Sequence, residues 1–303
     1  MSQERTPEQY GPVGIIGLGN MGLPIAKHLM DAGFHVVGTA RTEKSRKALE
    51  AVGGTAAADA SEVAGRCRYI ILALSSIPVF HEICAELADS CMEGTILMET
   101  GTFPLRDKEE ARALIESKGL IMLDIPLSGT GEQAKHKDVV CLGSGDSAAY
   151  QEILPILQAF SKSQPYLGDF GNGMKMKFIA NQLVAIHNVS TAEAVLFGQK
   201  MGMDLQEMLK VIGDGAGGSR MLQVRGPVMA DRTWSQAQIT NRVFHKDVAM
   251  IADALYEYGC PSPLFSAAVP IYTAAIASGH AEDDTSSVFA VLERMCQAPD
   301  ERS

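Results

Sequence analysis

The sequence predicts a doubly wound α/β domain over residues 1–170 followed by an all-helical domain over residues 171–303. Three observations predict it. The first half alternates short apolar runs with helix-length segments, a glycine-rich turn follows the first run directly, and after Gly171 the runs give way to stretches rich in Ala, Met and Leu. With 303 residues, 46% of them hydrophobic, the chain can build two cores, more than one ordinary domain needs.

In order along the chain, the runs are PVGIIGLG, HVVGTA, YIILALS, GTILMET, IMLDIPL and VVCLG. Strands spaced by helix-length segments indicate parallel βαβ units covered on both faces. The segment NMGLPIAKHLMDAG reads as the first helix, closing at Gly33. Three glycines in LGDFGNG (167–173) mark the domain boundary. Beyond it, residues 174–202 and 243–259 carry apolar side chains at helical spacing, with stops at Gly202, at Gly259 with Pro261, and at Gly279. There are no repeats and no low-complexity tract.

The formal charge of −10 and the absence of any Lys/Arg-dense run leave no face suited to phosphate backbones, so nucleic acid is not expected as a partner. No segment approaches the roughly 18 to 20 uninterrupted apolar residues of a membrane span, and the polar opening MSQERTPEQYG does not resemble a leader. A soluble, unexported, cytoplasmic protein is the expectation. Cys67, Cys84, Cys91, Cys141, Cys260 and Cys296 show neither a CxxC pair nor His/Cys ligand spacing, which fits reduced thiols and no metal site.

Gly17, Gly19 and Gly22 form G-x-G-x-x-G between the apolar strand and the first helix. Such a turn needs glycine for tightness, for approach of the backbone to a pyrophosphate and for close helix packing, while helix-end N–H groups face the anion. In this strand–turn–helix context it predicts a dinucleotide-binding Rossmann domain, with Gly17, Leu18, Gly19, Asn20, Met21 and Gly22 around the pyrophosphate. An NAD site places an acid at the end of the second strand to receive the ribose hydroxyls. Here that strand ends Gly38-Thr39-Ala40-Arg41-Thr42. Arg41 can grip a 2′-phosphate that an acid would repel, with Thr42 beside it and Lys44 adding charge, so NADP(H) is expected over NAD(H).

Lys177 and Asn181 lie four apart on the helix predicted after the boundary, hence on one face, while Lys175 points elsewhere. The helix around them is mostly apolar, so partial burial of Lys177 is expected, and burial tunes lysine toward acid/base work.

These motifs together resemble the β-hydroxyacid dehydrogenase family, which includes 3-hydroxyisobutyrate dehydrogenase, tartronate semialdehyde reductase and the glyoxylate/succinic semialdehyde reductases. The resemblance covers roughly residues 12 to 293. GIIGLGNMGLP from Gly14 is similar to the family's opening signature, and DIPLSG from Asp124 to its substrate segment. Gly171-x-Gly173-x-x-x-Lys177-x-x-x-Asn181 is similar to its catalytic helix. Lys246-Asp247, and Asp284 with Ser286, correspond to its later motifs.

The resemblance implies a 6-phosphogluconate-dehydrogenase-like C-terminal domain and hydride transfer between the nicotinamide and a small 3-hydroxyacid or semialdehyde. It implies Lys177 as general acid/base and Asn181 as orienter, with Ser128 and the backbone amides of Gly129 and Thr130 holding the substrate carboxylate. Leu74, Thr100 and Lys246 would line the cofactor, Asp247 would fix the helix it sits on, and Met221, Trp234 and Phe244 would shape the pocket. A homodimer or homotetramer paired through the helical half is also implied.

The chain departs from the pattern at Ser128-Gly129-Thr130-Gly131-Glu132-Gln133, where the family shows Ser-Gly-Gly. It departs again at Leu74-Ser75-Ser76 and at Thr100-Gly101. The alternatives are an imine-reductase-like enzyme, against which Lys177 argues, and a non-catalytic NADPH-binding or scaffold protein, against which the retained Lys177–Asn181 pair argues.

Overall fold

The computed structural model describes residues 5–237 and 239–296. Residues 1–4 lie outside them, as do position 238 and residues 297–303, so the first four residues of the opening segment and the outer ends of both predicted domains fall outside the described residues.

Six parallel strands form one sheet: β1 (Val13–Ile16), β2 (Val36–Thr39), β3 (Thr55–Ala56), β4 (Tyr69–Leu72), β5 (Ile96–Glu99) and β6 (Ile121–Asp124), in the spatial order β3-β2-β1-β4-β5-β6. Every residue of β1, β2, β4 and β5 is buried, which is why they read as unbroken apolar runs rather than as alternation. Adjacent residues face opposite sides. Ile15, Ile71, Met98 and Leu123 pack on one face, and Ile16, Ile70 and Leu97 on the other.

The helices of this half are α1 (Gly22–Asp31), α2 (Glu43–Ala51), α3 (Ala60–Ala64), α4 (Ile77–Ser90), α5 (Leu105–Glu116), α6 (Gly131–Lys135) and α7 (Ser147–Phe160). Ile25 and Leu29 of α1 and Ile153 and Phe160 of α7 cover the first face. Val63 of α3, Phe80 of α4 and Ile115 of α5 cover the second. The sheet is thus doubly wound as expected.

One strand lay outside the predicted pattern, and one reading of that pattern is corrected. β3, only two residues long, left no apolar run to recognise. VVCLG does not join the parallel sheet: Val140–Cys141 (β8) pairs antiparallel with Leu127–Ser128 (β7), Ser128 facing Val140. Pro126, which lacks an N–H, lies between β6 and β7 in IMLDIPL.

Chain contacts divide the protein inside the next helix, α8 (Asn172–Lys200): the first unit ends at Lys177 and the second begins at Phe178. The second unit is helical: the remainder of α8, then α9 (Leu205–Asp214), α10 (Arg220–Asp231), α11 (Asn241–Glu257), α12 (Pro263–Ala275) and α13 (Val288–Met295). Gly202 after α8, Gly259 after α11 and Gly279 after α12 all adopt positive φ, so the expected helix stops are where the chain turns. Phe244, Phe265, Tyr272 and Phe289 centre its core. A buried Arg225–Asp284 ion pair links α10 to the segment before α13, where the Asp284 carboxylate also accepts the Ser286 N–H at 3.0 Å. Among the described residues no helix is long and apolar enough to cross a membrane.

Candidate active site

The glycine turn sits at the carboxyl end of β1, beside the point where strand order reverses between β1 and β4, the usual ligand crevice of an open parallel sheet. Each glycine has a separate reason. Gly17 has φ +102°, and a Cβ there would stand 2.3 Å from the Ala73 carbonyl oxygen. At Gly22 a Cβ would stand 1.8 Å from the Gly17 carbonyl oxygen, so only glycine lets α1 start this close to the turn. A Cβ on Gly19 would meet nothing within 4 Å: it faces open space where a pyrophosphate could approach the backbone. No side chain caps the N-terminus of α1 at Met21, which leaves that end open to an anion. These features fit a dinucleotide. Leu18 is buried in the core and can offer only its backbone, whereas Asn20 is exposed.

At the end of β2, Arg41 is exposed and makes no ion pair among the described residues. Thr42 is the N-cap of α2, its Oγ1 accepting the Ser45 N–H at 3.2 Å, so its hydroxyl already has a task. A second arginine that sequence reading passed over, Arg46, donates to the Ala40 carbonyl at 2.6 Å and brings more positive charge to this strand end. Leu74 follows β4 half-buried, and the buried Thr100 hydroxyl donates to the Leu72 carbonyl at 2.8 Å.

The segment expected to bind substrate starts in β7. Ser128 is half-buried and Gly129 is exposed with φ +143°, a conformation that favours glycine. Gly131 lies so close to the glycine turn that a Cβ there would stand 3.1 Å from the Asn20 Cβ. The Thr130 amide expected to hold a carboxylate donates instead to Gln133 Oε1 at 3.0 Å, while Thr130 Oγ1 accepts the Gln133 N–H at 3.3 Å. This capping box starts α6 and occupies the Thr130 amide, which leaves Ser128 and the Gly129 amide as the remaining candidates for the carboxylate. Gln133 is tied in turn to Asp138 at 3.1 Å.

Lys177 and Asn181 are both buried, 8% and 7% exposed, on one face of α8, and Lys175 is exposed as the spacing required. In the second unit Asn181 Nδ2 donates to Asp247 Oδ2 at 3.0 Å, and Asp247 is itself 7% exposed. This bond ties α11, on which Asp247 sits, to α8 and aims the Asn181 amide. Lys246 is half-buried on α11. Phe244 is not a pocket wall. It is 2% exposed and packs against Tyr272 in the core, with ring centroids 5.4 Å apart. Trp234 lies edge-on to His280, and Met221 is half-buried.

Sequence reading also missed a buried charge cluster in the first unit. Lys108 of α5 is fully buried, its Nζ 2.5 Å from Glu99 Oε2 and 2.6 Å from Asp124 Oδ1. Burial pushes the Glu99 carboxyl above its ordinary range despite Lys108. Burial alone would lower Lys108, but Asp124 and Glu99 outweigh it and hold the ammonium above its ordinary value. The six cysteines are free thiols, and burial pushes Cys67, Cys84 and Cys141 up to about 12 and Cys91 to about 11, so these four remain protonated. Among the described residues no three His, Cys, Asp or Glu side chains gather as a metal site.

Comparison with known proteins matches residues 12–174 to the NAD binding domain of 6-phosphogluconate dehydrogenase. Residues 171–292 match the NAD-binding domain of NADP-dependent 3-hydroxyisobutyrate dehydrogenase. The chain is 28% identical to the L-threonate dehydrogenase of Cupriavidus necator over 284 residues, 92% of this chain and 95% of that one. It is 26% identical to glyoxylate/succinic semialdehyde reductase 2 of Arabidopsis thaliana, over 95% of this chain and 82% of that one. Among solved structures, 3-hydroxyisobutyrate dehydrogenase of Mycobacterium tuberculosis with L-serine superposes with a TM-score of 0.85 at 26% identity, covering 93% of this chain and 99% of that one.

Proposed function

Because the chain belongs to the family of the 6-phosphogluconate dehydrogenase NAD-binding domain, within the β-hydroxyacid dehydrogenase group, we propose that it is an NADP(H)-dependent oxidoreductase interconverting a small 3-hydroxyacid and its semialdehyde. The observation that carries the reading is Lys177: a lysine buried on an apolar helix, one turn from an asparagine whose amide is aimed by a buried carboxylate. A merely structural helix has no need of that arrangement.

When bound, the cofactor supplies or accepts the hydride at the substrate carbon. The turn at Gly17, Gly19 and Gly22 holds its pyrophosphate, and Arg41, assisted by Arg46, holds the 2′-phosphate. In reduction the Lys177 ammonium gives its proton to the carbonyl oxygen, which becomes the hydroxyl; in oxidation the neutral amine takes that proton back. The Asn181 amide donates to the same oxygen and offsets the negative charge that develops there. Ser128 and the Gly129 amide receive the substrate carboxylate, and Thr130 acts by capping the start of α6 rather than by direct contact. The protein works as a dimer or tetramer: Ile179, Leu183 and Phe197 on α8 are 55%, 49% and 65% exposed, and a second subunit would cover them.

The test is a screen of 3-hydroxyacids with NADP+ and NAD+ and of small carboxylate-bearing semialdehydes with NADPH and NADH. At least one semialdehyde should consume NADPH faster than NADH, or at least one 3-hydroxyacid should reduce NADP+ faster than NAD+. A protein that binds NADPH yet turns over none of them with either cofactor would overturn the reading.

A further inference from the structure

The cluster Glu99, Lys108 and Asp124 has no part in the proposed proton or hydride transfer, yet it connects the turn expected to line the cofactor with the helix that carries Lys177. Glu99 and Asp124 end adjacent strands and stand in register with each other at the carboxyl edge of the sheet. Glu99 Oε1 accepts the Gly101 N–H at 2.6 Å, holding the turn beside Thr100. Asp124 Oδ2 accepts the Met174 N–H at 2.8 Å and the Ser144 hydroxyl at 3.1 Å, and Ser144 Oγ accepts the Gly173 N–H at 2.9 Å. The first amides of α8 are thus satisfied by a buried carboxylate and a hydroxyl that it orients, at the helix end where negative charge is favoured. The approach is close: a Cβ on Gly173 would stand 2.2 Å from the Leu142 carbonyl oxygen. Lys177 follows Met174 by less than one helical turn.

Stability alone does not account for such a cluster. Two carboxylates and one ammonium, all with fully buried side chains, carry a desolvation cost that apolar side chains of similar volume would avoid, and replacing buried ion pairs in that way is often neutral or stabilising. What an apolar cluster could not do is accept the helix amides. We infer that Lys108 is a positioning residue: by holding Asp124 and Glu99 at the sheet edge, it fixes the rotation of the first turn of α8, and with it the placement of Lys177, while steadying the turn at Gly101. The consequence for turnover rests on the proposed role of Lys177; the hold on the helix does not.

The variant Lys108→Met keeps the length of the side chain and removes its charge. At a temperature where the variant is fully folded, amide exchange in residues 172–178 should accelerate at least about tenfold while exchange in β1 and β4 stays as in the parent. In the same preparation kcat should fall at least about tenfold, because small misplacements of a reacting group are costly, and NADPH affinity should stay within about threefold. A merely stabilising lysine would lower the melting temperature and leave both exchange in 172–178 and kcat unchanged in the folded protein, and that result overturns the inference. Asp124→Asn should reproduce the exchange effect, whereas Glu99→Gln, which holds Gly101 and not the helix, should not. If Lys108→Met does not fold, Asp124→Asn decides: accelerated exchange in 172–178 supports the inference and parental exchange overturns it. A parent inactive on every substrate defeats the functional reading by itself, since the exchange experiment needs no substrate.

Discussion

Removing the carboxylate of Asp247 should cost turnover through Asn181. The two side chains are each 7% exposed and meet at 3.0 Å, so water cannot readily replace either partner. A hydrogen bond to a charged group contributes about 1.5 to 3 kcal/mol, and at about 1.4 kcal/mol per tenfold this bounds the loss in kcat at roughly ten- to 150-fold. Asp247→Ala also removes the side chain's other contacts, so the pair is best isolated by a double-mutant cycle of Asp247→Ala, Asn181→Ala and the double variant. Steady-state kcat on the best substrate from the screen is the readout, with NADPH affinity measured in parallel. The expected coupling is about 1.5 to 3 kcal/mol, most of it in kcat, with NADPH affinity within a few-fold. Asp247→Asn, which still offers an oxygen, should lose less. Effects that add to within about 0.5 kcal/mol would show that Asp247 does not act through Asn181.

NADPH should bind at least about tenfold more tightly than NADH, a difference near 1.4 kcal/mol that one charge-assisted phosphate contact can supply, and Arg41→Asp should reverse the order; equal affinities by titration would refute the assignment of Arg41. Sedimentation at micromolar concentration should show no stable monomer, because an isolated chain leaves Phe197, Met201 and Val211 exposed at 65%, 54% and 65%. Hydrogen bonds from Arg232, at 2.8 and 2.7 Å, hold the Glu293 carboxyl below its ordinary range. The stabilisation from this pair is therefore present above the usual glutamate range and is lost as pH falls through the folded value. Thermal unfolding of Glu293→Gln should show a deficit of up to about 1 kcal/mol near neutral pH that vanishes in acid, and a deficit that instead grew in acid would contradict the sign.

The parts of the fold legible in the sequence were those whose signal is local. Strands buried on both faces show as short apolar runs, and the glycine turn shows as fixed spacing because sterics at Gly17 and Gly22 admit no Cβ. VVCLG was legible as a strand but not as an antiparallel one, since an apolar run carries no information about its partner. Thr130-Gly131-Glu132-Gln133 already spelled a capping box, and reading it that way would have shown that the Thr130 amide is occupied. Lys108 left a fainter trace: it shares the buried stripe of α5 with Ala111 and Ile115, three and seven positions on, where a surface lysine would not lie. The link from Asp247 to Asn181 spans 66 residues and depends on how two helices pack, which no spacing reveals.

The central claim, that Lys177 is the acid/base of a hydride-transfer enzyme, is tested most directly by Lys177→Ala measured beside Lys175→Ala. On a substrate the parent turns over, Lys177→Ala should lose about a hundred- to ten-thousand-fold in kcat, because water is a poor substitute for a positioned proton donor. Its NADPH affinity and unfolding temperature, measured on the same preparation, should stay near the parent's, and Lys175→Ala, altered at an exposed position, should keep parental turnover. A folded Lys177→Ala that binds NADPH and turns over at close to the parental rate would contradict the account.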